Sequence, residues 1–168
     1  MHAWPSGRSL HGGVDEIPLP EGPGRLWLSG KHFVGVDPST AMVECGAGRL
    51  VCLCERHELV ARYPDYVSWL EAQVPEAATW WPIPDLHAPG LKEADALLDA
   101  LRRMIGEGET ILLHCGAGIG RAGTIAAGLL IRMGLDLGDS LAVVSRARPM
   151  AGPEVGEQTV LLERLAQG

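Results

Sequence analysis

Two stretches of the chain are apolar at almost every position. "RLVCLCE", from Arg49, and "ETILLHC", ending at Cys115, are short, continuous and rich in β-formers, the pattern of strands buried on both faces. "RLWLSG", from Arg25, and the opening of "TWWPIPDLHAPG" predict two more strands, the second running into a proline-punctuated loop. Elsewhere the period changes. "LKEADALLDALRRMIGEG" puts Leu91, Ala94, Leu97, Leu98, Leu101 and Ile105 on one helical face and closes on glycine. "DPSTAMVECGAG" predicts a short helix with Asp37 as N-cap, Pro38 at N1 and a glycine stop. "RHELVARYPDYVSWLEAQ" predicts two helical pieces interrupted at Pro64, and "RAGTIAAGLLIRMG", "LGDSLAVVSRAR" and "EQTVLLERLAQ" predict helices through the last third. Strands separated by helices predict an α/β domain with a central, largely parallel sheet of about four to five strands flanked by helices.

Residues 1–24 are dense in Gly and Pro without a sustained period, so they read as an arm before a domain spanning 25–168. A chain of 168 residues, 46% of them hydrophobic, is long enough for one sizeable core and short for two. A formal charge of -7 argues against a broad basic surface for nucleic acid or an anionic membrane, so an anionic ligand has to be captured locally. Four irregularly spaced cysteines fit free thiols better than a disulfide framework, and the longest apolar stretch is too interrupted to span a bilayer. The expectation is a cytoplasmic monomer.

The chemistry concentrates in "HCGAGIGRAGT", from His114 to Thr124. A strand, a glycine turn and a helix in that order put backbone N–H groups at the carboxyl end of a parallel strand, where anions bind. Gly116, Gly118 and Gly120 allow backbone conformations closed to side chains with a Cβ, so that the N–H groups of Gly116, Ala117, Gly118, Ile119 and Gly120 can converge on one tetrahedral anion. No Gly-Lys-Ser/Thr follows, and a cysteine stands at the mouth, which removes the nucleotide-binding loops. Arg121 adds a planar fork for two oxygens. Cys115 meets a helix N-terminus and a cation, a setting that lowers a thiol from about 8.5 to roughly 3.5–7.5 and predicts a thiolate aimed at phosphorus.

"HCGAGIGR" resembles the His-Cys-x5-Arg signature of the cysteine-dependent protein phosphatases, most closely the dual-specificity branch, and the resemblance runs from about Arg25 to the C-terminus. It implies one α/β domain, no metal or other cofactor, a phosphoprotein or phosphopeptide substrate, and a phosphocysteine intermediate formed on Cys115 with Arg121 as phosphate clamp. "WWPIPDLHAP" is similar to the family's acid loop and assigns Asp85 as general acid, then base. "ARPMAGPEVGEQ" is similar to the segment that carries a water-positioning glutamine, here Gln158, although it holds one residue more than the usual pattern. His114 reads as a hydrogen-bonding support of the loop. "LCERH" resembles a segment whose cysteine forms a reversible disulfide with the nucleophile, which would make Cys54 or Cys52 a redox partner; the plainer reading of both is small buried hydrophobes. Trp69, Trp80 and Trp81 read as core or loop anchors.

The pattern breaks at Ala122, where the family usually has Ser or Thr to hydrogen-bond the departing sulfur. Loss of one such bond is worth about 1.5–3 kcal/mol and predicts slow breakdown of phosphocysteine unless Thr124 substitutes. The uncharged loop residues Gly116, Ala117 and Ile119 favour a single phosphomonoester over a multiply phosphorylated headgroup. Two rivals stay open at this point: a phosphate-reading module without turnover, motivated by Ala122, and thiol-dependent arsenate reduction, which shares a Cys-x5-Arg loop.

Overall fold

The computed structural model describes residues 8–168. In chain order it contains α1 (Arg8–His11), β1 (Val14–Ile17), β2 (Arg25–Gly30), α2 (Lys31–Val34), α3 (Pro38–Cys45), β3 (Arg49–Cys52), α4 (Pro64–Gln73), β4 (Ala78–Trp80), α5 (Leu91–Gly106), β5 (Thr110–Cys115), α6 (Gly120–Arg132), α7 (Leu137–Ala147) and α8 (Gly156–Gln167), with a single 3-10 turn at Arg56–Glu58. The strands form one sheet in the order β1-β2-β5-β3-β4. Four of them are parallel, and β1 closes one edge antiparallel to β2. The predicted single-domain α/β fold is therefore the one observed.

Strand periodicity sorts the core into two layers. Leu26, Leu28, Val51, Ile111, Leu113 and Cys115 face the layer built by α5 to α8, whereas Leu50, Cys52, Leu112 and Ala78 face the layer of α3 and α4. β5 lies at the centre, so the alternation that carries Leu112 and Leu113 to opposite faces delivers His114 beneath the α4 side and Cys115 to the α6 side. Helix ends follow the sequence chemistry. Asp37 Oδ1 accepts from the Thr40 N–H at 3.1 Å, and Gly46 ends α3 in the left-handed conformation (φ 64°).

One expectation is corrected. The arm assigned to 1–24 is part of the domain where it is described: Val14–Ile17 pairs with β2, and Ile17 is buried, while residues 1–7 lie outside the described residues. Four residues are too few to show a period against a Gly/Pro-rich background, which hid β1. The two helical pieces expected about Pro64 are the 3-10 turn at Arg56–Glu58 and α4, which Pro64 opens because its fixed φ suits N1.

α6 is buried on every side over Gly120–Leu130, with Gly123 pressed against the loop before α8. A Cβ on Gly123 would stand 2.3 Å from the Gly152 nitrogen. Gly123→Ala gains about 1 kcal/mol in helix propensity and loses more to overpacking, so a net destabilisation of about 1–2 kcal/mol is expected in urea unfolding. A stabilised variant would contradict this packing.

Candidate active site

The loop at 116–119 leaves the end of β5 and turns into α6. It lies directly on the end of β2. Gly118 has φ +75°, and a Cβ there would come within 2.5 Å of the Ser29 carbonyl, so both conformation and contact require glycine. The carbonyls of Gly116, Ala117 and Gly118 are all bonded on the outer side of the loop, by the Lys31 N–H at 2.9 Å and by the Arg148 guanidinium at 2.8 Å each. In a trans peptide C=O and N–H point oppositely, so the following N–H groups face inward.

Cys115 sits at the base of a cleft of about 400 Å³ lined also by Lys31, His32, Glu58, Asp85, Arg121 and Glu154. A larger apolar depression of about 510 Å³, by Pro18–Pro20 and α7, lies away from these groups and carries Arg146 as its sole charged residue.

Arg121 is fixed by a partner that the sequence reading missed. Its Nη1 and Nη2 donate to Glu58 Oε2 and Oε1, both at 2.8 Å, and Nη1 also donates to the Ile83 carbonyl at 2.8 Å. Of five N–H donors, three are thereby used. The Nε–H and the second Nη2–H remain on one edge, the side-on edge that matches two oxygens of a tetrahedral anion. Asp85 Oδ1 lies 3.4 Å from Nη2 on that edge. Burial pushes the Glu58 carboxyl up, but Arg121, the Glu55 N–H and the Lys31 charge outweigh it and hold it below the ordinary range. The signal available in the sequence was "ERHE": Glu55 and Glu58 form a reciprocal cap of the 3-10 turn, and a buried arginine needs a carboxylate.

Asp85 is 68% exposed, on a loop tied down around it. The Trp81 and Ile83 N–H groups donate to the Cys52 and Leu53 carbonyls, and Trp80 Nε1 donates to the Cys54 carbonyl at 2.8 Å. Leu86, exposed and left-handed at φ 63°, turns the chain just beyond the carboxylate and donates its N–H to Asp85 Oδ1.

His114 is fully buried, with Nδ1 3.1 Å from the Cys115 carbonyl and Nε2 2.5 Å from the Tyr66 hydroxyl. Burial holds Tyr66 well above its ordinary pKa, so the phenol donates to Nε2 and Nδ1–H donates to the carbonyl. Cys52, Cys54 and His114 approach one another within 4.8 Å, yet both imidazole nitrogens are already engaged. All four cysteines are free thiols, and Cys54 is held protonated by the Cys52 hydrogen bond and by burial.

Gln158 requires correction. It is fully buried, its Oε1 accepts from the Glu154 N–H at 2.7 Å, and its Nε2 donates to the His87 carbonyl at 3.2 Å. It braces the loop that carries Asp85 and does not line the cleft; from that segment Glu154 does so instead, lying against Gly120.

The thiol also departs from expectation. Burial pushes Cys115 up, and it outweighs the Ala122 N–H, 3.4 Å from Sγ, the Arg121 charge and the Gly118 N–H, which draw it down. Thr124 does not substitute for the missing hydroxyl: its buried Oγ1 has no hydrogen-bond partner among the described residues.

A sequence model of the family described as "Polymorphic toxin system, DSP-PTPase phosphatase" matches residues 40–135, more than half of the 168-residue chain. The chain belongs to that family. This DSP-PTPase is a cysteine-dependent protein phosphatase, and its substrates are phosphorylated. It is similar to Tk-PTP in the active form, with 25% identity, a TM-score of 0.69, and 98% of this chain and 99% of that chain covered. Its fold is shared with kinase associated phosphatase (KAP) bearing a serine in place of the catalytic-site cysteine, at 18% identity, a TM-score of 0.73, and 93% and 97% coverage. Human DUSP28 has the same fold at 20% identity and a TM-score of 0.63, over 84% of this DSP-PTPase and 88% of that chain.

Replacing Glu58 with Gln is expected to lower the Cys115 pKa, because the Arg121 charge is no longer shared, and the pH midpoint of iodoacetamide alkylation should fall. The stability that the Glu58 carboxylate contributes is present above its unfolded value of about 4.3 and is lost as pH falls through its lower folded value. The gap in unfolding free energy between wild type and Glu58→Gln should therefore close in acid; a gap that widened would refute the pairing.

Proposed function

We propose that this phosphatase hydrolyses phosphomonoesters of proteins or peptides in two steps through a phosphocysteine. The observation that carries the reading is the Arg121 edge that Glu58 and Ile83 leave without a hydrogen bond, in the cleft lined also by Cys115 and Asp85. A phosphate seated on that edge and on the inward N–H groups of the 116–121 loop presents phosphorus to Sγ. Cys115 attacks as the thiolate, the S–P bond forms, and the ester oxygen leaves with the proton of Asp85. Asp85, then a carboxylate, takes a proton from the water that attacks phosphorus, and the thiolate departs. Arg121 and the loop amides hold the charge of the equatorial oxygens throughout.

A thiol raised by burial still reacts in this scheme, because the attacking thiolate fraction rises with pH. The uncharged loop residues 116, 117 and 119 support a single phosphomonoester. The net charge of -7 supports a substrate other than nucleic acid or a membrane lipid, and no helix among the described residues is long and apolar enough to cross a membrane. We place the enzyme in the cytoplasm as a monomer without a metal or other cofactor. Since the matched family is described as part of a polymorphic toxin system, its phosphoprotein substrate is to be sought within such a system.

Rapid mixing with p-nitrophenyl phosphate, with Cys115→Ser as blank, is expected to release a burst near one equivalent before slow turnover. Ala122→Ser should speed the slow phase by about 10-fold or more, the loss that one bond to a charged sulfur carries. Phosphate binding without release above the blank would favour the binding-module reading instead. Asp85→Asn should slow esters with poor leaving groups far more than p-nitrophenyl phosphate, and equal losses on both would remove Asp85 as the acid.

A further inference from the structure

Arg148 is buried, with 3% of its side chain exposed, and it uses four of its N–H groups in two directions. Nε donates to the Gly118 carbonyl and Nη2 to the Ala117 carbonyl, both at 2.8 Å. On its other side Nη1 donates to the Gly13 carbonyl at 3.1 Å and to Asp15 Oδ2 at 2.8 Å. Asp15 is on the edge strand β1, opposite Leu28, and shares the strand face of the buried Ile17. Its second oxygen accepts from the half-exposed Arg8 at 2.7 Å.

We propose that Asp15 is a positioning residue for catalysis, acting through Arg148 on the orientation of the phosphate loop. This rests on the phosphate-binding reading of that loop. Asp15 is the sole carboxylate that pairs with the Arg148 charge among the described residues. A buried guanidinium without its counter-ion swings toward water. Withdrawal of Arg148 releases the two carbonyls it holds, and in planar peptides those carbonyls share their units with the N–H groups of Gly118 and Ile119. If either unit turns, a donor facing the phosphate is exchanged for an acceptor, and the Gly118 N–H no longer reaches the Cys115 sulfur. Asp15 touches neither substrate nor sulfur, so its whole effect passes through the loop.

The test uses the full chain and inorganic tungstate, a tetrahedral oxyanion that needs no turnover. Asp15→Asn keeps an acceptor for Arg148 and removes the charge. Arg148→Lys keeps the charge, but one ammonium cannot serve both carbonyls and the carboxylate. In each variant, shown folded by urea unfolding, tungstate affinity is expected to fall by about tenfold or more, the worth of one charge-assisted hydrogen bond. The pH midpoint for alkylation of Cys115 should rise in both, and Asp15→Glu should restore affinity and midpoint together. Folded variants that lose only melting temperature, with wild-type tungstate affinity and alkylation midpoint, would overturn the proposal. A wild-type chain that binds no tungstate would overturn the phosphate-loop reading itself, and this inference with it.

Discussion

A guanidinium has two edges suited to paired oxygens, and in Arg121 one of them is occupied by Glu58. The bidentate grip of Glu58 on Arg121 decides which edge remains for a ligand and where the Ile83 carbonyl must lie. The course of the loop that carries Asp85 follows from the last of these, since Ile83 stands two residues before Asp85 and is hydrogen-bonded to the strand layer through Leu53. One ion pair thus couples the 3-10 turn after β3, the loop after β4 and the first turn of α6.

The loop itself obeys a second constraint of the same kind, the planarity of the peptide unit. An anion cradle needs donors on its inner surface, and that is possible only if the carbonyls have acceptor duties outside. Here those duties are met by the Lys31 N–H and Arg148, with Gly30 leaving no side chain in the way: a Cβ there would come within 2.7 Å of the Gly116 oxygen. Pre-formed donors of this sort do not have to reorganise when charge develops on the ligand. The cost is burial of the sulfur, which raises its pKa against the pull of the same donors.

The sequence displayed what is local. Buried strands, helix caps and the glycine turn are short-range patterns, so the sheet, Cys115, Arg121 and Asp85 were readable from spacing and residue type. Glu58, Arg148 and Asp15 were not, because each matters through a partner 63, 30 or 133 positions away, and no periodicity encodes such a pair. β1 was hidden by its length. Gln158 was misjudged for a related reason: one inserted residue changes which side chain of an irregular segment faces inward, and only the packing of Glu154 against Gly120 and of Gln158 beneath His87 decides it.

The strand order places the supports of the loop at both ends of the chain, with Gly13 and Asp15 on one side of Arg148 and the loop carbonyls on the other. During synthesis the signature residues at 114–121 emerge well before Arg148. Until that arginine is available the Ala117 and Gly118 carbonyls lack their outer partner, and of the turn only Gly116 is held, by the Lys31 N–H. The cradle is thereby tied to a residue made after the signature itself, a timing written into the order of the elements.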